Sequence, residues 1–107
     1  MTTARYSVSI SSVIVDTNIA DSTAINYGDF ETGMVYVPAG SSLTTLTWHA
    51  CATIDGTYLA AEDSASAAVT QTVAVSQAHP IPAALSGCRF LKITGNADGV
   101  VGVTLKD

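Results

Sequence analysis

The stretch LTTLTWHAC at residues 43–51 decides the fold class, because its apolar and polar side chains alternate. Leu46, Trp48 and Ala50 are separated from one another by threonine and histidine. A period of two residues is typical of a β-strand with one buried face and one exposed face. We therefore expect a strand here, with Trp48 directed into a hydrophobic core.

The same period runs through most of the chain, and turn-forming residues interrupt it at short intervals. Strands are expected at residues 6–10, 24–27, 34–37, 43–51, 57–60, 67–75, 89–94 and 101–105. Many short strands separated by regular turns are typical of a sandwich or a barrel. The pattern predicts an all-β fold, an antiparallel β-sandwich of jelly-roll-like type with about eight short strands.

The turns and breaks carry their own expectations. Asp55-Gly56 predicts a hairpin, and a turn through Asp98-Gly99 predicts a second hairpin that ends the chain. The segment 79–82 (HPIP) is not expected to continue a strand ladder, because proline has no N–H to donate. Ala83–Leu85 is expected to form one helical turn that ends at Gly87.

Alternation also assigns faces within each strand. Inward side chains are expected at Tyr6, Val8, Ile10, Val69, Val73, Val75, Leu91, Ile93, Val101, Val103 and Leu105. Gln71 shares the face of its valine neighbours, as it would at a bulge. Tyr58 is expected to pack beside Trp48 across the first hairpin.

Composition bounds the class of protein. The chain has 107 residues, 48% of them hydrophobic and only 12% charged, which is about half the usual charged share. A chain of this size buries enough surface for a real core. We expect one β-sandwich domain over residues 1–107, with residues 1–5 as an extended N-terminal arm. Much of its surface must be neutral, as in subunits that neighbours cover.

The distribution of charge excludes several partners. Four Lys and Arg against nine Asp and Glu give a net charge of −5, and no basic residue lies between Arg5 and Arg89. Such a surface would repel a phosphate backbone, so no nucleic-acid partner is expected. Neither an apolar stretch of membrane-spanning length nor a secretory signal can be recognised, and we expect no membrane association and no export.

The two cysteines, Cys51 and Cys88, allow one disulfide. In a chain that is not exported, the cytosolic pool keeps thiols reduced. We therefore expect two separate, mostly buried thiols.

No constellation of residues predicts catalysis or a cofactor. The candidate zinc ligands are His49, Cys51, His79 and Cys88, and the candidate calcium ligands are Asp16, Asn18 and Asp21. Glu62 and Asp63 are a candidate pair of catalytic carboxylates. The first set lacks the tight ligand pairs of zinc sites, and the second lacks the spacing of an EF-hand. Adjacent carboxylates on a strand point in opposite directions. No nucleophile elbow or phosphate-binding glycine loop occurs, so we expect no enzyme, no metal and no cofactor.

Several segments together resemble small virion structural proteins of tailed bacteriophages. They are residues 46–58 (LTWHACATIDGTY), 67–73 (AAVTQTV), 80–85 (PIPAAL), 90–93 (FLKI) and the valine-rich closing strand. The resemblance covers roughly residues 33–106 and includes no catalytic motif. It implies a capsid decoration or cement protein, often trimeric, that binds the major capsid protein. Such a protein would be made in the cytoplasm of the bacterial host and located on the capsid surface of the virion.

Phe90 is a large apolar side chain that is expected on an outer face. Alternation places Leu91 and Ile93 inward, so Phe90 is expected on the outer face with Lys92, where a partner or a loop would cover it. Arg5, Phe90 and Lys92 are the expected subunit or capsid contacts.

Two other classes stay open. A carbohydrate-binding, head-fibre or tail module for host attachment would share the sandwich, but glycan binding needs exposed aromatic side chains, which alternation mostly places inside. A hydrolase is the third class, but the chain has none of the catalytic residue patterns considered above.

Overall fold

The computed structural model describes residues 8–28, 30 and 32–106, with side chains from residue 12 onward. This part of the chain forms nine strands. They are Val8–Val15 (β1), Ile25–Asn26 (β2), Thr32–Val37 (β3), Thr45–Cys51 (β4), Leu59–Ala60 (β5), Thr70–Thr72 (β6), Gln77–Pro80 (β7), Phe90–Gly95 (β8) and Gly99–Lys106 (β9). Two short 3-10 turns, Ile19–Asp21 and Ala83–Leu85, complete the secondary structure. Gly87 follows the second turn with φ +94°, which confirms the expected helical turn and its glycine.

The strands form two antiparallel sheets. The four-stranded sheet has the order β1-β9-β3-β7, and the five-stranded sheet has the order β2-β8-β4-β5, with β6 also paired to β4. Most consecutive strands alternate between the sheets, which is the connectivity of a jelly roll when β5 and β6 are counted as one position. The expected antiparallel β-sandwich is confirmed.

The core lies between the sheets and follows the predicted alternation. Trp48 and Leu46 of β4 and Leu91 and Ile93 of β8 are all fully buried. From the opposite sheet come side chains of β1, β3 and β9, among them Val13, Val35, Val101, Val103 and Leu105. The buried position expected for Trp48 is therefore confirmed.

Gln71 is the polar residue on the inner face of β6, and no bulge is needed to explain it. Its side-chain Oε1 accepts a hydrogen bond from the indole Nε1 of Trp48 at 3.2 Å. Its Nε2 donates to the carbonyl oxygen of Pro80 at 2.6 Å. Gln71 therefore satisfies the buried indole and ties the five-stranded sheet to β7.

The expectation that residues 79–82 leave the strand ladder is wrong for the first two of them. His79 and Pro80 belong to β7, where they pair with Val35 and Met34 of β3. β7 lies at an edge of its sheet, and an edge strand tolerates proline because one side of the strand needs no partner.

The expected terminal hairpin is also wrong. β8 belongs to the five-stranded sheet, whereas β9 lies in the four-stranded sheet between β1 and β3. Asn96 directs the crossing: its Oδ1 accepts hydrogen bonds from the backbone N–H of Thr44 at 2.8 Å and Thr45 at 3.1 Å, and its Nδ2 donates to the Ser42 carbonyl at 3.2 Å. The turn therefore connects the sheets instead of folding the chain back on β8.

Two side chains expected in the core are not there. Val75 is 41% exposed, because the chain leaves the five-stranded sheet after the buried Val73 and turns toward β7. Tyr58 is half-buried on the outer side of the same sheet, away from Trp48, and its hydroxyl donates to the Ile54 carbonyl at 2.9 Å.

The expectations for the N-terminus lie outside the described residues. They concern Tyr6, the side chains of Val8 and Ile10, the arm at residues 1–5 and the contact residue Arg5. Within the described chain, no helix has the length and apolar character needed to cross a membrane.

Candidate functional site

Phe90 opens β8 on the outer face of the five-stranded sheet, between Asn26 of β2 and Cys51 of β4 in the strand register. It is nevertheless only 9% exposed. The guanidinium carbon of Arg89 lies over its ring, 5.4 Å from the centroid, in a cation–π contact. The cover expected for Phe90 from a partner or a loop is therefore supplied by its own chain, and its part as a subunit or capsid contact stays a prediction.

Lys92 lies two residues further along the same face and is also engaged within the chain. Its Nζ is 4.8 Å from the centroid of the Tyr58 ring. It also donates a hydrogen bond to the carbonyl oxygen of Ile19 at 3.4 Å. The ammonium group thus holds two loops to the sheet, which gives Lys92 a structural part in addition to any contact with a partner.

His49 lies opposite Lys92 in the register of β4 and β8. Its Nε2 is 2.9 Å from the hydroxyl of Thr94. Burial lowers the pKa of His49, which favours the neutral imidazole. Like Lys92, His49 is held by neighbours on this face.

The four candidate zinc ligands do not form one cluster. His79 lies in the other sheet from His49, and its Nε2 accepts a hydrogen bond from the backbone N–H of Ala74 at 3.1 Å. Residues 8–28, 30 and 32–106 contain no group of three or more His, Cys, Asp or Glu able to hold a metal ion.

Two of the acidic candidates accept hydrogen bonds from their own turns. Asp16 accepts from the Asn18 N–H at 2.8 Å, and Asp63 accepts from the N–H groups of Ala65 and Ala67 at 2.8 and 3.1 Å. This local pairing is the usual behaviour of aspartate in turns.

The feature that the sequence did not indicate is an apolar cleft at one end of the five-stranded sheet. We call it the thiol cleft, and it has a volume of about 440 Å³. It is lined by Ala50, Cys51, Ala52, Thr57, Leu59, Gly87, Cys88 and Arg89. Both cysteines are free and half-buried, as expected for separate thiols, although they are less buried than predicted.

Leu59 exposes a large apolar side chain at the thiol cleft. In the register it lies opposite Ala50, which in turn lies opposite the fully buried Leu91. The side chain of Leu59 is nevertheless 67% exposed, and Ile54 in the preceding loop is 51% exposed. Exposed branched aliphatic side chains beside an apolar cleft are typical of a docking surface. The sequence reasoning missed Leu59 because it directed the neighbouring Tyr58 inward.

A second apolar area lies on the outer face of the four-stranded sheet. We call it the sheet patch, and its members are Ile14 (48% exposed), Tyr36 (45%) and Val100 (50%). Ile14 and Val100 are direct partners in the β1–β9 register. A cleft of about 360 Å³ beside them extends from Ser12 to Pro38. The molecule therefore exposes apolar surface on both sheets.

Comparison with known proteins finds no match for this chain among protein-family descriptions, curated proteins or solved structures. The resemblance to phage structural proteins stays a prediction. The structure shows two exposed apolar areas, the thiol cleft at one end of the five-stranded sheet and the sheet patch on the outer face of the four-stranded sheet.

Proposed function

We propose that this chain is a structural virion protein of a tailed bacteriophage, a capsid decoration or cement protein that binds the major capsid protein and stabilises the head. The observation that carries the proposal is the presence of two exposed apolar areas, the thiol cleft and the sheet patch, on different sheets of one small domain. A protein that bridges its neighbours needs at least two contact surfaces, whereas a solitary monomer is best served by a charged, patch-free exterior.

The thiol cleft is the surface that we assign to the capsid. Leu59 and Ile54 offer apolar side chains, and Arg89 supplies a cation at the rim of the cleft. Arginine beside apolar groups is typical of interface centres. The acidic residues of the middle of the chain would face outward or toward basic capsid loops, because like charges would resist docking.

Fold analogy supports the proposal only weakly. Jelly rolls occur in viral capsid proteins and also in lectins, and a fold by itself does not specify a function. In this proposal the protein is a homo-oligomer on the capsid surface, and its role requires no catalysis. The trimer that the resemblance implies is one form of that oligomer.

The test compares particles that contain this protein with particles that lack it. We expect the protein to be present in many copies per purified particle and to raise the temperature at which the heads release their DNA. Leu59→Asp should abolish particle binding while leaving the fold intact, because Leu59 is 67% exposed. Val75→Asp is the matched control, since Val75 is an exposed apolar residue outside the thiol cleft. Absence from purified particles, or equal binding by both variants, would contradict the assignment.

A second candidate function follows from Tyr36. Its ring is 45% exposed beside the cleft of the sheet patch, and exposed aromatic rings are the groups on which sugars stack. A head-fibre or host-attachment module that binds a glycan would use it. Glycan binding by the isolated protein that Tyr36→Ala abolishes would favour this candidate over the cement role.

A further inference from the structure

The four edges of the two sheets differ in how well they are protected. In the five-stranded sheet, the edge strands β2, β5 and β6 have two or three residues each. In the four-stranded sheet, β7 carries Pro80, which has no N–H, and the carbonyl oxygen of Pro80 is occupied by Gln71. Short strands and proline are the means by which proteins prevent edge-to-edge pairing. Three of the edges are therefore blunted.

β1 has none of these protections along most of its length. It is eight residues long and pairs only with β9 among the described strands. The sequence from residue 6 to residue 15, YSVSISSVIV, contains no proline and no charged residue. A long, uncharged edge strand offers its free N–H and C=O groups to another strand.

The backbone of Ile14 shows which groups of β1 point toward its outer edge. Its N–H donates to the Thr23 hydroxyl at 3.0 Å, and its carbonyl accepts from the Thr23 N–H at 3.1 Å, so both groups point away from β9. In an antiparallel pair, residues two apart direct their backbone groups to the same side. The groups of Val8, Ile10 and Ser12 therefore point to the outer edge as well, beyond the loop that covers Ile14.

We propose that this free edge of β1 binds a second copy of the chain, with the two β1 strands antiparallel about a two-fold axis at Ile10. In that register Ile10 lies opposite Ile10 of the second copy, and Val8 lies opposite Ser12 in both directions. The three facing pairs exchange about six hydrogen bonds. A register shifted by two residues toward the end of the strand would use fewer of them, because it would place Ile14, which Thr23 covers, at the edge.

Charge favours a second copy at this edge. The chain carries a net charge of −5, so most contacts between two copies oppose like charges. Pairing through the uncharged β1 strand avoids that repulsion. It also extends the apolar sheet patch, since Ile14 lies on β1 and the cleft beside the patch reaches Ser12. The two copies would form one continuous eight-stranded sheet.

The first experiment uses the self-pairing of residue 10. Light scattering should give the wild type a mass of twice 10.9 kDa. Ile10→Lys and Ile10→Asp should each be monomeric, because the same charge meets itself across the axis, and an equal mixture of the two should recover the dimer. Ala78→Lys, on the opposite edge of the same sheet, is the control and should remain dimeric. A monomeric wild type, a trimer, or failure of the mixture to pair would overturn the proposal.

A second experiment needs no charged variant. Across the proposed axis the two Ile10 Cα atoms lie about 5.5 Å apart, within disulfide range, whereas the two Ser12 Cα atoms lie about 14 Å apart. Under mild oxidation Ile10→Cys should cross-link two chains through residue 10, as identified by peptide mass, and Ser12→Cys should not. Equal cross-linking by both variants, or by neither, would contradict the register. This contact rests on the proposed function, because it would join copies of the chain within the oligomer. The two proposals can still be distinguished, since a trimer that binds particles would overturn only the edge pairing.

Discussion

The indole N–H of Trp48 is hydrogen-bonded to the side-chain oxygen of Gln71 at 3.2 Å, inside the sandwich and across neighbouring strands β4 and β6. The same glutamine reaches the Pro80 carbonyl on β7 with its other end. A buried indole needs a hydrogen-bond acceptor, and a glutamine on an otherwise apolar face provides one. One side chain thus explains both a polar residue in a core position and the closure of the two sheets at that side.

Loss of this acceptor should destabilise the fold measurably. Gln71→Leu leaves the Trp48 N–H without its partner, and we expect a loss of about 1–3 kcal/mol in the free energy of unfolding. Trp48→Ala should cost about 3–5 kcal/mol, because it leaves a large cavity. Urea unfolding followed by circular dichroism measures both. In a double-mutant cycle, Trp48→Phe combined with Gln71→Leu should lose less stability than the sum of the losses from Trp48→Phe alone and Gln71→Leu alone. Strict additivity of the two losses would show that the hydrogen bond contributes nothing.

Gly33 should not tolerate a side chain. A Cβ at this position of β3 would lie 2.6 Å from the Thr104 carbonyl oxygen and 2.7 Å from the Ile81 side chain. We expect Gly33→Ala to lower stability by about 1–3 kcal/mol through overpacking. Gly40→Ala is the control, because no atom lies within 4 Å of the corresponding Cβ, and thermal unfolding should barely change. Equal effects of the two substitutions would argue against the close packing of β3 on β9.

The two thiols should behave as separate groups. Both are free, so reductant should leave the melting temperature unchanged, as no loop of the unfolded chain is released. Burial raises the pKa of Cys88, which reduces its thiolate fraction at pH 8. Alkylation of Cys88, followed by mass spectrometry, should therefore be slower in the folded protein than in urea. A melting temperature that falls by several degrees on reduction would reveal a bridge instead.

His49 should make stability depend on pH in a defined window. Burial lowers its pKa below the ordinary value of 6.5, so the unfolded chain binds a proton more readily than the folded one. Its contribution is fully present above about pH 6.5 and is lost as the pH falls from there toward the lowered folded-state pKa. Denaturant unfolding between pH 5 and 7.5 should show this slope in the wild type and a smaller one in His49→Gln. An identical slope in both proteins would exclude His49 as its source.

Much of the fold could be predicted from local pattern, and the failures share one cause. Alternation placed Leu46, Trp48, Leu91 and Ile93 correctly, because the two faces of a strand are decided by neighbouring residues. The glycine after Ala83–Leu85 was equally readable, since that position requires a positive φ. The candidate site was predicted less well. Phe90 was placed on the right face but its cover was not identified, and Leu59 was overlooked, because cover depends on which other segments pack nearby.

The sequence by itself determined that this chain forms an all-β protein, since a period of two places the apolar side chains on one face of a sheet, and that face must be buried. Only the tertiary structure decided which strands pair. The turn before Gly99 would suit a hairpin, yet the hydrogen bonds of Asn96 with residues 42–45 carry β9 into the opposite sheet, between β1 and β3. Strands that are distant in the sequence could pair in several alternative orders. Contacts between distant segments determine which order forms, and a local sequence pattern does not contain them.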